Sequence, residues 1–130
     1  MTIGMEASEG HKRTVLAKQL AMNRQSWSAL QQHGATEDTD LRLDFFYNAP
    51  NERAARALAA YLNGETDYEV RVGSAGGGLL KKKAWVVTGT TRDTKVSQEI
   101  LDQWVEWMVL AGFENRCEFD GWGAPVPKAP

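Results

Sequence analysis

The sequence predicts an α+β sandwich, in which a four-stranded antiparallel sheet carries two helices on one face and an extra helix precedes the first strand. Three observations predict it. Apolar and polar residues alternate with a period of two over residues 41–47, 68–72 and 85–90. Segments with helical apolar spacing lie before and between those runs. The 130 residues, 42% apolar and 25% charged, are enough for one domain with one core.

Residues 8 to 32 read as a helix with Val15, Leu16, Leu20, Trp27 and Leu30 on one side and Gly34 at the position favoured for a left-handed cap. The first ten residues hold few apolar groups and are expected to fray. After the polar connector Glu37-Asp38-Thr39-Asp40, Leu41, Leu43, Phe45 and Tyr47 alternate with Arg42, Asp44 and Phe46 as a first strand with one strongly apolar face. Pro50 suits the first turn of a helix, with Asn48 upstream as its cap and Glu52 favourable to its dipole. Ala54, Ala55, Leu58, Ala59 and Leu62 then recur at helical spacing, and their small side chains allow close approach to a sheet; Asn63-Gly64 ends the element.

Tyr68, Val70 and Val72 form a second strand that runs into Gly73-Ser74-Ala75-Gly76-Gly77-Gly78, read as a flexible loop. A third strand resumes at Lys83. It places Trp85, Val87 and Gly89 on one face and Val86, Thr88 and Thr90 on the other, so the two strands make a hairpin. Residues 96–113 give the clearest helix, with Ile100, Leu101, Trp104, Val105, Met108 and Ala111 in one stripe and Thr94 or Ser97 as cap. Trp107, Val109 and Leu110 widen that stripe, so the N-terminal helix or a second copy of the chain is expected to cover them. Cys117 and Phe119 alternate with Glu118 as a short last strand, and Asp120-Gly121 reads as a tight turn. The turn holds Trp122 either as a lid on one end of the core or as an anchor for a partner.

The order after the first helix is strand, helix, strand, strand, helix, strand, which is the split βαβ pattern of the ferredoxin-like sandwich. The chain divides accordingly into an N-terminal helical extension (1–40), the βαββαβ domain (41–124) and a proline-rich, extended tail (125–130).

The net charge of −2, from 15 basic and 17 acidic side chains, supplies no overall field for nucleic acid or anionic membrane, so either would need a local patch. A single cysteine excludes an internal disulfide and a cysteine-based zinc site, and it fits a reducing compartment. No apolar run approaches a membrane span, and the opening Met1-Thr2-Ile3-Gly4-Met5-Glu6 lacks the basic lead and apolar core of a signal peptide, so the expected location is the cytoplasm.

Little in the chain has the pattern of a reactive centre. His11 and His33 are too far apart to share neighbouring turns, so no metal site is expected. Cys117 with His33 as base is weaker than the reading of Cys117 as a small buried side chain. Asp44 and Asp120 are the carboxylates with fixed placements, better suited to edge and turn roles than to paired acid–base work. The glycine run lacks the lysine and hydroxyl residue of a phosphate loop, and a strand follows it where a helix is required. Its basic end, Lys81, Lys82 and Lys83 with Arg71, could instead contact RNA phosphates or an acidic protein segment. Phe46 and Trp85 are the rings on which bases could stack, although the aromatic and basic signature of RNA-recognition domains is missing from the third strand.

Two segments carry a resemblance. Leu43-Asp44-Phe45-Phe46-Tyr47 with Pro50, Glu52, Ala55, Leu58 and Ala59, and the ending Glu118-Phe119-Asp120-Gly121-Trp122-Gly123, resemble the regulator of ribonuclease E activity B family over roughly residues 41–124. The resemblance implies a ferredoxin-like fold, a non-enzymatic bacterial protein without cofactor, and inhibition of an endoribonuclease by direct binding. The partner-binding candidates are Asp120, Trp122, Phe46, Lys81, Lys82 and Lys83. The alternative is a single-stranded RNA-binding module that uses the sheet face and the basic hairpin tip, and a homodimer is compatible with either.

Overall fold

The computed structural model describes residues 8–75 and 84–125. The elements are α1 (Glu9–Gln32), β1 (Asp44–Ala49), α2 (Glu52–Glu65), β2 (Glu69–Ala75), β3 (Ala84–Thr90), α3 (Gln98–Glu114) and β4 (Glu118–Gly123). All strand pairs are antiparallel, and the order across the sheet is β2-β3-β1-β4. An α+β architecture with a four-stranded antiparallel sheet is therefore what the alternating segments build.

The register decides which residues meet. Phe45 lies opposite Gly89 and Tyr47 opposite Val87, while Val70 and Val72 of β2 face those same two β3 residues. These side chains point to the helical face, where Phe45, Tyr47, Val87 and Phe119 pack with Ala55, Leu58 and Leu62 of α2 and Val105, Met108 and Val109 of α3. Each of the fully buried rings contributes about 2–3 kcal/mol by leaving water. A second cluster joins Trp27 and Leu30 of α1 to Leu41, Leu43, Val96 and Leu101, which closes the end of the sandwich where β1 begins.

In α1, Val15, Gln19, Asn23, Trp27 and Leu30 are buried, a stripe at intervals of four and three. It packs on α3 and along the outer edge of β4, where the Gln19 side-chain amide donates to the Phe119 carbonyl at 3.4 Å. The otherwise free edge of β4 is thereby covered. Two polar side chains inside the stripe, Gln19 and Asn23, satisfy that edge and its neighbour α3, and they also explain why the apolar periodicity of α1 is weak in the sequence.

Several boundaries differ from the sequence reading. Asn51, not Asn48, caps α2, its Oδ1 accepting from the Ala54 N–H at 2.8 Å, and the helix continues through Asn63-Gly64 to Glu65. β2 extends through Gly73, Ser74 and Ala75, read as loop, because their backbones pair with Val86, Trp85 and Ala84. Gly76 to Lys83, including the rest of the glycine run and Lys81, Lys82 and Lys83, lie outside the described residues, as do residues 1–7 and 126–130.

The largest correction concerns Asp120-Gly121. No turn forms there; β4 runs on to Gly123, and the register against β1 shifts by one, with Gly121 opposite Phe46 but Phe119 opposite Tyr47. Asp120 is the extra residue of a β-bulge, and Gly121 takes φ +130°, a conformation suited to glycine. The inserted residue changes the face of everything after it. Trp122, which strict alternation from Phe119 would turn outward, lands opposite Phe45 on the helical face.

Candidate binding surfaces

The bulge fixes the corner where the sequence placed its C-terminal candidates. Trp122 is half-buried; its indole N–H donates to Asn23 Oδ1 at 2.7 Å, and its ring meets Trp104 edge-on at 6.2 Å. Asn23 is 1% exposed and donates onward to Asp102 at 3.1 Å. Trp122 thus ties β4 to α1 and α3. Asp120 is exposed on the bulge, and Phe46 is 44% exposed on the opposite, uncovered face of the sheet. The structure brings Asp120, Phe46 and an edge of Trp122 to one small cleft of about 140 Å³, completed by Gln19, Met22 and Ser26 of α1.

Across the uncovered face, Arg71, Thr88, Phe46 and Gly121 form one row, flanked by a row of Glu69, Thr90, Asp44 and Gly123. The Thr90 hydroxyl donates to Asp44 at 2.7 Å, a cross-strand pair that gives this carboxylate a structural role. Trp85 is not on this face: it lies opposite Ala49 and packs against the core. Among the described residues, Phe46 is therefore the one ring available there for stacking.

The other candidate groups are placed as follows. Cys117 is 2% exposed, its thiol donating to the carbonyl oxygens of Ala54 and Asn115 at 3.5 Å. Burial pushes its pKa up to about 11, so it is neither ionised nor reachable as a nucleophile. His11 is exposed and lies 2.6 Å from Glu118, with its ring edge-on to Phe113. Among the described residues, no cluster of metal-ligating side chains forms, and no helix is long and apolar enough to cross a membrane.

A second surface lies where the apolar stripe of α3 is wider than the sheet can cover. α1 packs along α3 and Val109 is fully buried, but Ile100, Trp107 and Leu110 remain 48%, 37% and 44% exposed. Their spacing of seven and three puts them on one outer stripe of α3. Trp107 stacks beside Tyr61 of α2, with ring centroids 6.1 Å apart and planes inclined by 22°. Below them, a groove of about 380 Å³ is lined by Tyr61, Glu65, Thr66, Tyr68, Trp104 and Trp107. The Trp104 indole N–H donates to the Tyr68 hydroxyl at 3.0 Å, which fixes both rings. Burial raises the Tyr68 pKa, against the opposing pull of that bond, so the hydroxyl stays neutral. A neighbouring cavity of about 230 Å³ shares Tyr68 and Trp104 and adds Leu43, Asp67, Arg92, Asp93 and Ile100. The surplus of Trp107 and Leu110 over a single stripe was the sequence signal for this site; their conjunction with Tyr61 and Tyr68 depends on how α2 and β2 pack and has no local signature.

Residues 20–124 match the family model of the regulator of ribonuclease activity B. No curated protein matches the chain closely enough to serve as a named relative.

Proposed function

The chain belongs to the regulator of ribonuclease activity B family, and from that premise we propose that it is a non-enzymatic protein that restrains an endoribonuclease by direct contact. The observation that carries the mechanism is the exposed stripe of Ile100, Trp107 and Leu110 beside Tyr61, since contiguous apolar and aromatic surface on a small domain marks an interaction site. Exposed tryptophan in particular is costly to leave in water and is over-represented at the centres of interfaces.

The finer fold assignment belongs to the same reading. The strand order β2-β3-β1-β4, with α2 and α3 packed on one face, supports a ferredoxin-like sandwich to which α1 is added along the β4 edge. A buried free thiol suits a reducing bacterial cytoplasm. The cleft of Phe46, Asp120 and Trp122 offers a second, smaller contact surface for the same partner. The competing RNA-binding reading would rest on Phe46 and Arg71 in one row, together with Lys81, Lys82 and Lys83, which lie outside the described residues.

The test uses purified endoribonuclease, a fluorogenic RNA substrate and RNA-free biosensor binding. Saturable inhibition, together with a complex that forms without RNA, is the expected result. Binding only when RNA is present, lost steeply as salt rises, would replace this reading with the RNA-binding one.

A further inference from the structure

We propose that the aromatic groove between α2 and α3 seats a cationic side chain, foremost an arginine guanidinium, presented by an extended basic segment of the partner protein. This deepens the reading above and rests on it for the identity of the partner, not for the chemistry of the groove.

The lining argues for a cation. Ring faces carry negative potential and attract ammonium and guanidinium groups, and here Tyr61, Tyr68, Trp104 and Trp107 converge on one depression. The Trp104–Tyr68 hydrogen bond and the Tyr61–Trp107 stack hold the rings in place before anything binds, which lowers the ordering cost of binding. Among the described residues no basic side chain lines the groove itself, and the one basic residue of the adjoining cavity, Arg92, is paired with Glu69 at 3.8 Å. Glu65 lies in its wall and Asp67 in the adjoining cavity, and neither forms an ion pair among the described residues, whereas Glu9, Asp40, Glu52, Glu69, Asp93 and Glu118 each do. Among the described residues the groove thus combines four rings with one carboxylate and has no cation in its own wall.

Shape argues for an extended segment. The groove and the neighbouring cavity share Tyr68 and Trp104 and continue one another along α3. Same-side residues of an extended chain are about 7 Å apart, so one cationic and one apolar side chain could occupy the two depressions at once. Ile100, beside the inner cavity, and Leu110, past Trp107, supply apolar flanks. Arginine is favoured over lysine because its planar head stacks on rings and pairs with carboxylates.

The same charges select against other occupants. RNA could stack on the rings, but its phosphates would meet Glu65 and Asp67. A second copy would set Glu65 and Asp67 of one chain against the same carboxylates of the other.

The experiment titrates the full chain with a fluorescein-labelled peptide of alternating arginine and leucine, with the same peptide carrying citrulline for arginine, and with a labelled single-stranded RNA oligonucleotide. Indole N–H NMR signals report the location. Binding of the arginine peptide with shifts at Trp104 and Trp107, weakened about tenfold by citrulline and by either Trp107→Ala or Glu65→Gln but not by Phe46→Ala, is the expected pattern. Trp107 and Glu65 are surface groups, so circular dichroism should confirm that both variants fold. Equal binding of the citrulline peptide, indifference to both groove variants, RNA displacing the peptide at the same indoles, or loss of the groove to a concentration-dependent dimer would each overturn the proposal. Capture of the ribonuclease undiminished by either groove variant would likewise overturn it while leaving regulation by contact intact. Arginine-peptide binding at the groove without any ribonuclease capture would support it and remove only the choice of partner.

Discussion

Trp122 and Asn23, 99 positions apart in the chain, are joined by a 2.7 Å hydrogen bond from indole N–H to side-chain carbonyl. The bond links the last strand to the first helix at a site where Asn23 is 1% exposed and also holds Asp102. Replacing Trp122 by Phe keeps most of the packing but leaves Asn23 Oδ1 unsatisfied, so urea denaturation should show a loss of about 1–3 kcal/mol. Asn23→Ala should cost at least as much, since it strips partners from both Trp122 and Asp102. The double variant should lose less than the sum of the two, by about 1 kcal/mol. Strict additivity would mean that the bond is not formed in solution.

The bulge that aims Trp122 inward depends on Gly121 at φ +130°. Gly121→Ala meets no crowding, because the nearest atom to its added Cβ is Gln19 Oε1 at 3.9 Å, so its cost isolates backbone strain. A loss of about 1–3 kcal/mol is expected, with a change in tryptophan fluorescence as Trp122 shifts from its seat. Wild-type stability in this variant would show that the bulge tolerates an ordinary residue.

These two residues also mark where the sequence stops being readable. Period-two runs located β1, β2 and β3, and Leu41, Leu43, Phe45 and Tyr47 are all buried as their alternation implied. Helical stripes located α2 and α3 because their apolar faces meet a sheet. Asp120-Gly121 misled, since one dipeptide serves both tight turns and bulges, and only pairing with β1 distinguishes them. Setting Pro50 in the first turn of α2 puts the cap upstream at Asn48, whereas Pro50 precedes the actual cap, Asn51. Trp85 reads as a ring for the open face, yet its position opposite Ala49 turns it to the core. The groove of Tyr61, Tyr68, Trp104 and Trp107 draws on α2, the segment just before β2 and α3, so no window of sequence contains it.

Gly89 is required for space. An added Cβ would sit 2.5 Å from Phe45 Cζ and would also collide with the Glu69 carbonyl oxygen on β2. The missing side chain is what leaves room for the Phe45 ring against β3, fully buried. Gly89→Ala should therefore destabilise by about 3 kcal/mol or prevent folding. Pairing it with Phe45→Leu, which vacates the ring's far edge, should recover part of that loss in thermal melts. Absence of any rescue would place the whole penalty on the Glu69 backbone contact.

Two buried hydroxyl and thiol groups should make the domain sensitive to alkali. Burial moves the Cys117 thiol from 9.0 up to about 11, and burial also raises Tyr47, whose hydroxyl donates to the Met108 carbonyl at 2.7 Å. Below pH 9, folded and unfolded chains both keep the thiol proton, and the stability is fully present. Between pH 9 and 11 only the unfolded chain releases it, so the unfolded state binds fewer protons and stability falls, by about 1.4 kcal/mol per pH unit for each such group. Tyr47 joins above pH 10, steepening the fall. Urea midpoints measured from pH 8 to 11 should show this decline, and Cys117→Ala should flatten it between pH 9 and 10 while leaving the Tyr47 contribution above that range. The folded chain should also resist iodoacetamide at pH 8 until urea exposes the thiol. A Cys117→Ala profile parallel to wild type would show that the thiol ionises equally in both states and is less buried than the packing under α2 requires.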